Sequence, residues 1–312
     1  MTLQTSHSSE YSQTFTPSLF DLPMQVLSNT CVGEGLWLMT LRNETYEAQS
    51  VLARFKPGQF FMLSLKDETA FQFRRPFSFW DVNPSEGTLD IYYKVAGRGT
   101  YEMTTWQEGH TTQLLAPLGH PFHALPDTMD KALLLAGGIG LAPLYFLAAY
   151  AQRHGIEGTP YCAYGARNGQ SLGMQDALKS LVPSTHLSFA TDDGSYGFHG
   201  HLGMLLETWD TERFHTYTHA YVCGPNPMMA SMVTLLKKKA PHIQTFVSLE
   251  NHMPCGTGAC FGCVVASSPD ASPKRACTEG PVFSADALLW TPQGPQHSFD
   301  PPLSHAADCC KP

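Results

Sequence analysis

Four cysteines near the C-terminal end of the chain constrain what it can fold into more than any other feature. Cys255, Cys260 and Cys263 follow a C-x4-C-x2-C pattern, and Cys277 comes after thirteen intervening residues. This is the plant-type spacing of ligands to a [2Fe–2S] cluster. Two irons take four thiolates, and soft sulfur ligands suit iron–sulfur centres. Three of the four thiolates lie on one short loop, which must wrap closely around whatever it holds. Gly256, Gly258 and Gly262 lie in this loop, where they are expected to permit close backbone approach and positive φ. Loop N–H groups then become available to the sulfurs. A structural zinc site is the alternative reading. Such sites usually pair two C-x2-C knuckles, and only one C-x2-C is present here.

The remaining composition bounds the rest. A chain of 312 residues makes about two domains with room for a small third. Hydrophobic residues make up 43% and charged residues 15%, which excludes a wholly disordered or fibrous chain. A net charge of −8 leaves no basic footprint for nucleic acid and no polybasic stretch for anionic lipid. No apolar run reaches the length of a membrane span. The first twenty residues are polar and rich in Ser and Thr, without the charged and apolar regions of a signal peptide, so the expected location is the cytoplasm. In a reducing compartment a cysteine cluster reads as a metal site before it reads as disulfides. Cys31 and Cys162 are expected as small buried hydrophobes.

No internal repeat is visible. Residues 1–20 are expected to be a mobile extension, and residues 291–312 a mobile tail. Residues 21–125 read as short strands between turns, at 35–41, 59–65, 77–80, 89–95 and 113–115, which suggests a small antiparallel β-barrel. The pattern changes near Lys131. Strand patterns at 131–136, 161–164, 186–190 and 220–223 alternate with helical patterns at 143–154, 175–181 and 227–239. That alternation predicts a doubly wound α/β domain with a parallel sheet over 126–245. The cysteine cluster then forms a small C-terminal [2Fe–2S] subdomain over 246–290.

Three groups of residues suggest ligands. Gly137, Gly138 and Gly140 link a buried strand to a helix that carries Pro143 in its first turn. Such a turn offers backbone N–H groups and a helix N-terminus to a pyrophosphate, although Pro143 stands where the Rossmann fingerprint has its third Gly. Cys223, Gly224 and Pro225 close a later strand, and Asp192 and Asp193 follow another. In open α/β sheets ligands gather at the carboxyl ends of strands, so these loops point to one dinucleotide crevice. The acidic pair disfavours a 2′-phosphate and favours NAD over NADP; Arg167, after another strand, argues the other way. In the barrel, Arg75, Pro76, Phe77 and Ser78 offer a cation for phosphate, an aromatic for a flavin ring and a hydroxyl. Tyr93, Lys94 and Val95 come next, and then a glycine turn with Gly99 and Thr100, of a kind that cradles phosphate through backbone N–H groups.

With these motifs in this order, the chain resembles the ferredoxin–NADP reductase superfamily. The cysteine cluster, with Leu249-Glu250 before it and Gly280-Pro281-Val282-Phe283 after it, resembles the electron-transfer subunit of B-type dihydroorotate dehydrogenase. The resemblance covers roughly residues 22–290. It implies FAD at Arg75, Pro76, Phe77, Ser78, Tyr93, Lys94, Val95, Gly99 and Thr100, a [2Fe–2S] cluster on Cys255, Cys260, Cys263 and Cys277, and NAD on the α/β domain. It further implies an FMN-containing dihydroorotate dehydrogenase catalytic subunit as partner, in a heterotetramer of two plus two, and a place in pyrimidine biosynthesis. The extensions at both ends and His252-Met253-Pro254 before the first cysteine depart from the family's pattern.

The chemistry of the three groups orders them. A nicotinamide exchanges electrons in pairs, a cluster exchanges them singly, and a flavin does both, so the flavin stands between the other two. The alternative is an NAD(P)H-dependent ferredoxin reductase-type subunit of another oxidoreductase, with the same cofactors. A zinc-binding or regulatory protein is the reading from a different class. His199 and His201 are expected as loop or surface residues, and the lysines 237–239 as a solvated helix end.

Overall fold

A computed structural model describes residues 19–65, 73–267 and 272–296. Residues 1–18 and 297–312, most of the expected extension and tail, lie outside the described residues.

The first half of the chain forms β1 (Phe20–Gly33), β2 (Leu36–Arg42), α1 (Tyr46–Leu52), β3 (Phe60–Leu63), β4 (Arg75–Ser78), β5 (Asp81–Asn83), β6 (Thr88–Lys94), α2 (Arg98–Met103) and β7 (Thr111–Leu118). The strands make one antiparallel sheet in the order β4-β3-β7-β1-β2-β6-β5. It curls until Phe77 on β4 meets Tyr93 on β6, with ring centroids 6.3 Å apart. Met39, Leu41, Phe61, Phe79, Ile91 and Leu114 fill the inside.

β1 goes unread in the sequence, although it is the longest strand among the described residues. Pro23 breaks the impression of a strand, because a proline cannot donate to a ladder. Here Pro23 aligns with Gln113 of β7, while pairing with β2 starts only at Gln25. The proline therefore sits where β1 has a single neighbour. The period-2 signal is present nonetheless: Leu22, Met24 and Val26 are buried between exposed Asp21, Pro23 and Gln25.

The second half forms β8 (Ala132–Gly137), α3 (Leu141–Arg153), β9 (Tyr161–Ala166), α4 (Gln175–Leu181), β10 (Leu187–Thr191), β11 (Phe198–His199), α5 (Leu202–Glu207), α6 (Thr211–Phe214), β12 (His219–Cys223), α7 (Asn226–Lys239) and β13 (Gln244–Ser248). Beyond it come β14 (Val264–Val265), β15 (Lys274–Arg275), β16 (Val282–Ser284), β17 (Trp290–Thr291) and β18 (Gly294–Pro295). The sheet order is β11-β10-β9-β8-β12-β13-β16. All neighbours in it are parallel except β16, which runs antiparallel to β13. Alternate residues of the central strands feed two cores. Leu133, Leu135 and Val222 pack under α5 and α7, and Leu134, Ala136 and Tyr221 pack under α3 and α4. This is the doubly wound arrangement the alternation predicts.

The barrel and the sheet are joined by aromatic packing. Phe146 of α3 enters the barrel core. Trp80 lies on Tyr145 at 3.8 Å between centroids and 7° between planes. Arg153 at the end of α3 donates to Asp81 Oδ1 at 2.5 Å and to the Val82 carbonyl at 3.0 Å.

The cysteine segment is one long excursion from the α/β sheet. The chain leaves the sheet at Ser248 and returns beside it at Val282. The hairpin of β17 and β18 spans residues 290–295, all but Trp290 in the part that the sequence reading assigns to a mobile tail. It is seated on α7, where the backbone of Gly294 lies so close to Asn226 that a Cβ would come within 2.4 Å of that side chain. The short, polar, proline-bearing run hides the hairpin from a reading by composition.

Candidate functional site

The strand order reverses direction at β8. The chain runs from β8 outward through β9 and β10, then returns to β12 on the other side. A crevice forms at such a switch point, beyond the carboxyl ends of the two diverging strands. The turns after β8 and β12 are pressed together there. A Cβ on Gly140 would lie 2.3 Å from the Cys223 carbonyl oxygen, and Gly224 has φ +153° with the Gly137 Cα 2.9 Å from where its own Cβ would be. Only glycine fits either position.

A cavity of about 360 Å³ opens over these turns, lined by Gly137, Gly138, Pro225 and Asp192. Asp193 behaves differently from Asp192. Its carboxylate accepts from the Ser195 hydroxyl at 2.6 Å and the Ser195 N–H at 3.0 Å, and the Ser195 hydroxyl, with that N–H, holds it below the usual carboxylate range. It serves its own turn rather than the cavity. Arg167 lines the same wall as Asp192. The barrel contributes Glu34, Leu36 and Lys94; the sequence reading assigns Lys94 to the flavin site alone and gives neither Glu34 nor His201 a part in the crevice. Nothing local marks Glu34, which sits at a hairpin tip. His201 is exposed, as expected, but it also caps α5, with Nδ1 accepting from the Met204 N–H at 3.3 Å.

A second cavity, of about 350 Å³, lies between the barrel and the sheet. Pro76, Phe77, Ser78, Tyr93 and Lys94 wall one side of it, and Gly140, Pro143 and Cys223 another. Ser248, Glu250, Asn251 and Met253 close it toward the cysteine segment. Both cavities fall within the size range of small-molecule and cofactor sites. They adjoin, for Lys94 and Ile139 line both, so molecules held in the two would meet.

Other sequence-predicted residues take supporting positions. The Val95 N–H donates to the Gly35 carbonyl at 2.8 Å. Gly99 packs against Arg75, and its Cβ would lie 2.7 Å from Leu65 and 3.2 Å from Arg75 Nε. The Thr100 hydroxyl accepts from the Ala96 and Gly97 N–H groups at 2.8 and 3.2 Å, so it shapes the turn rather than reaching outward.

The second cavity has the character a flavin ring requires. Its walls are largely apolar and aromatic. Burial pushes the Tyr92 hydroxyl up to about 12 and the Tyr93 hydroxyl higher still, and it raises the Cys223 thiol strongly as well, so all three stay neutral. Lys94 and Glu250 are the charged side chains on the wall. Glu250 is exposed along this wall; desolvation by the surrounding protein raises its carboxyl above the usual range, and the Lys94 ammonium partly offsets the effect.

The cysteine loop is seated on the barrel. Gly256, at φ +72°, brings its backbone so close to β3 that a Cβ would come within 2.7 Å of Met62. The left-handed residues of the loop differ from expectation at one place: Phe261 takes φ +56°, and Gly262 is absent from the positive-φ set. Phe261 is 56% exposed and lies under the Arg275 guanidinium at 5.4 Å. A Cβ on its neighbour Gly262 would instead lie 3.2 Å from Pro254.

The four sulfurs form two pairs. The Cys277 N–H donates to Cys263 Sγ at 3.4 Å, and the two thiols share a hydrogen bond that lowers Cys263 to about 6 and raises Cys277. Burial pushes Cys255 up, but hydrogen bonds from Cys260 and Thr257 outweigh it and bring Cys255 to about 6. Among the described residues no three His, Cys, Asp or Glu side chains converge as a single-ion site would require. Two pairs of thiols suit the two irons of a plant-type cluster. Cys263 and Cys277 are each 1% exposed, whereas Cys260 is exposed and Cys255 half-buried, so one pair faces inward and the other lies nearer the surface. The inner pair shares a buried cluster with Phe60 and Met253, which also line the second cavity. Cys162 is buried as expected, but Cys31 is exposed, on the strand face that points to water.

Comparisons with known proteins agree with this arrangement. Residues 250–289 match the family described as the iron-sulfur cluster binding domain of dihydroorotate dehydrogenase B. Residues 134–234 match the oxidoreductase NAD-binding domain. The chain is 31% identical over 269 residues to the electron transfer subunit of dihydroorotate dehydrogenase B (NAD(+)) from Geobacillus thermodenitrificans, covering 85% of this chain and 97% of the relative. It is 34% identical over 272 residues to the corresponding subunit homolog of Aquifex aeolicus, covering 87% and 99%. Among solved structures, the NADH-dependent reduced ferredoxin–NADP oxidoreductase studied for flavin-based electron bifurcation superposes with a TM-score of 0.69 at 26% identity, covering 86% of this chain and 90% of that one.

Proposed function

The chain belongs to the family of electron-transfer subunits of dihydroorotate dehydrogenase B, and from that premise we propose that it passes electrons from a dihydroorotate-oxidising catalytic subunit to NAD⁺. One observation carries the reading. A single cavity touches the barrel, both strand-end turns and the segment that leads into the cysteine loop.

The residues divide the work. Phe77, Ser78 and Tyr93 hold the ring system of FAD in the second cavity, with Arg75, Gly99 and Thr100 shaping the barrel beside it. When bound, the flavin exchanges electrons in pairs with a nicotinamide and singly with an iron–sulfur cluster. Gly137, Gly138, Gly140 and Pro225 present backbone to the dinucleotide in the crevice, and Asp192 disfavours a 2′-phosphate there. Cys255, Cys260, Cys263 and Cys277 hold the [2Fe–2S] cluster. The inner pair lies on the flavin side, through Phe60 and Met253, and the outer pair, with the exposed Cys260, on the partner side. The aromatic seam at Trp80 and Tyr145 keeps the barrel and the sheet at a fixed separation while nucleotide comes and goes.

The partner in this proposal is an FMN-containing catalytic subunit, in an assembly of two copies of each chain, serving pyrimidine synthesis. The proposal places the protein in the cytoplasm. No helix among the described residues is long and apolar enough to cross a membrane.

The test is anaerobic reduction of NAD⁺ by dihydroorotate, with the chain alone and with a candidate catalytic subunit. Turnover that requires both proteins is expected. If NADH bleaches the flavin and cluster of the chain but the pair gives no dihydroorotate-dependent turnover, the partner assignment is wrong. The ferredoxin-reductase alternative then takes its place.

A further inference from the structure

The residue after the last cysteine of the cluster, Thr278, carries a hydroxyl that the protein buries without using. Its Oγ1 is shut off from solvent and has no hydrogen-bond partner among the described residues. A buried polar group left without a partner is costly. The side chain is fixed from two directions. The Thr278 N–H donates to the Arg275 carbonyl at 3.2 Å, and the Arg275 N–H donates to the Glu279 carboxylate at 2.9 Å, which closes the turn. Gly258, at φ +81°, lies against the side chain: a Cβ there would come within 2.9 Å of Thr278 Cγ2 and 3.3 Å of Oγ1. Gly258 stands between Cys255 and Cys260 in the chain. Thr278 is therefore wedged between the loop that carries three of the cysteines and the fourth cysteine itself. It also shares the wall of a cavity of about 210 Å³ with Gly256, Thr257 and Cys277.

Resting on the functional reading above, we propose that the Thr278 hydroxyl donates a hydrogen bond to a sulfur of the [2Fe–2S] cluster and thereby raises the cluster's reduction potential. An added electron increases the negative charge on the sulfurs, so a donor placed there favours the reduced form. No proton is transferred, and the four thiolate ligands are unchanged. Thr278 lines neither the nucleotide crevice nor the flavin cavity. It is a positioning residue whose effect falls on where a single electron rests between the partner and the flavin.

The test is a redox titration of the cluster, followed by EPR, in the full chain purified with its flavin and cluster. Thr278→Val keeps the shape of the side chain and removes the hydroxyl. At the native midpoint the ratio of reduced to oxidised cluster in this variant is expected to fall roughly tenfold, a shift of about 59 mV to lower potential for one electron. Thr278→Ser restores the hydroxyl without the methyl and is expected to keep the native midpoint. Pulsed EPR of the reduced native protein after brief exposure to heavy water should show a deuteron coupled to the cluster, because a hydroxyl exchanges long before a buried amide does. That coupling should be missing in Thr278→Val. Flavin absorbance and two irons per chain report that the variants fold and load.

A native midpoint in Thr278→Val overturns the inference. So does a fall in Thr278→Ser as large as that in Thr278→Val, which would assign the effect to the methyl packed on Gly258. A coupled deuteron that persists in Thr278→Val belongs to water in the cavity and overturns it as well. If Thr278→Val loads no cluster, the native protein decides, and the absence of any rapidly exchanged deuteron near the cluster overturns the inference. A native chain that takes up zinc in place of two irons overturns the functional reading along with it, whereas a two-iron cluster indifferent to the Thr278 hydroxyl overturns the inference alone.

Discussion

The nucleotide crevice and the cysteine loop are built from different parts of the chain's chemistry. The crevice is made of backbone. Its two turns touch peptide to peptide, with no room for a Cβ at Gly140 or Gly224, and its side chains are secondary. The loop is made of side chains, four sulfurs in two pairs, on a backbone that tolerates a left-handed Phe261. Atom exchange should therefore ruin the loop while leaving its shape, whereas added bulk should ruin the crevice.

The sharpest way to break this comparison is Cys277→Ser, which changes one atom. Visible and EPR signals of the cluster are expected to vanish, and dihydroorotate-driven NAD⁺ reduction to fall to background, with flavin absorbance retained. Loss of flavin along with the cluster would mean that the loop holds up the cavity, and the division would fail. Gly140→Ala comes next. It drives a methyl into the Cys223 carbonyl, with strain on the order of 1–3 kcal/mol. Weaker NAD⁺ binding and a lower unfolding midpoint are expected, while the cluster spectrum stays unchanged.

Smaller effects sharpen the comparison. Phe261→Gly relieves a left-handed side chain but removes the contact with Arg275. These two effects offset to within about 1 kcal/mol, so denaturant unfolding should barely move. A large destabilisation would show that the loop too depends on local packing. The smallest effect is at the rim of the crevice. The folded pKa of Asp193 is depressed, mainly by the Ser195 hydroxyl. The stabilisation it contributes is present above the ordinary carboxylate value of 3.8 and is lost as pH falls through the depressed one. In Ser195→Ala the Asp193 carboxyl should titrate nearer 3.8 by carbon NMR, with little change at neutral pH.

The same contrast explains what the sequence reveals. The cysteine spacing is legible because the ligands are side chains, three of them within nine residues. The strand–turn–helix at Gly137 to Gly140 is legible because its glycines and the buried strand are contiguous. The second cavity is not legible as a whole. Phe77, Lys94, Pro143 and Glu250 come from four separate stretches, and only the folded sheet order brings them together. Lys94 reads as a flavin-site residue, but its place on both cavities depends on the angle between barrel and sheet. Glu34 and His201 carry no local signal at all. The hairpin of β17 and β18 is missed because its seat is Asn226, far back in the chain.

The return of the chain at β16 has one further consequence. β16 covers the open side of β13, and it is held there at the far end of the excursion that carries the cysteines. An uncovered strand edge is a template for pairing with other chains. A chain cut within that excursion would lose the anchorage of β16 and bare the backbone of residues 244–248, while one that has only lost its cluster would keep the edge covered. Nicked protein should then turn cloudy in storage, whereas oxidised protein should fade in colour and stay clear.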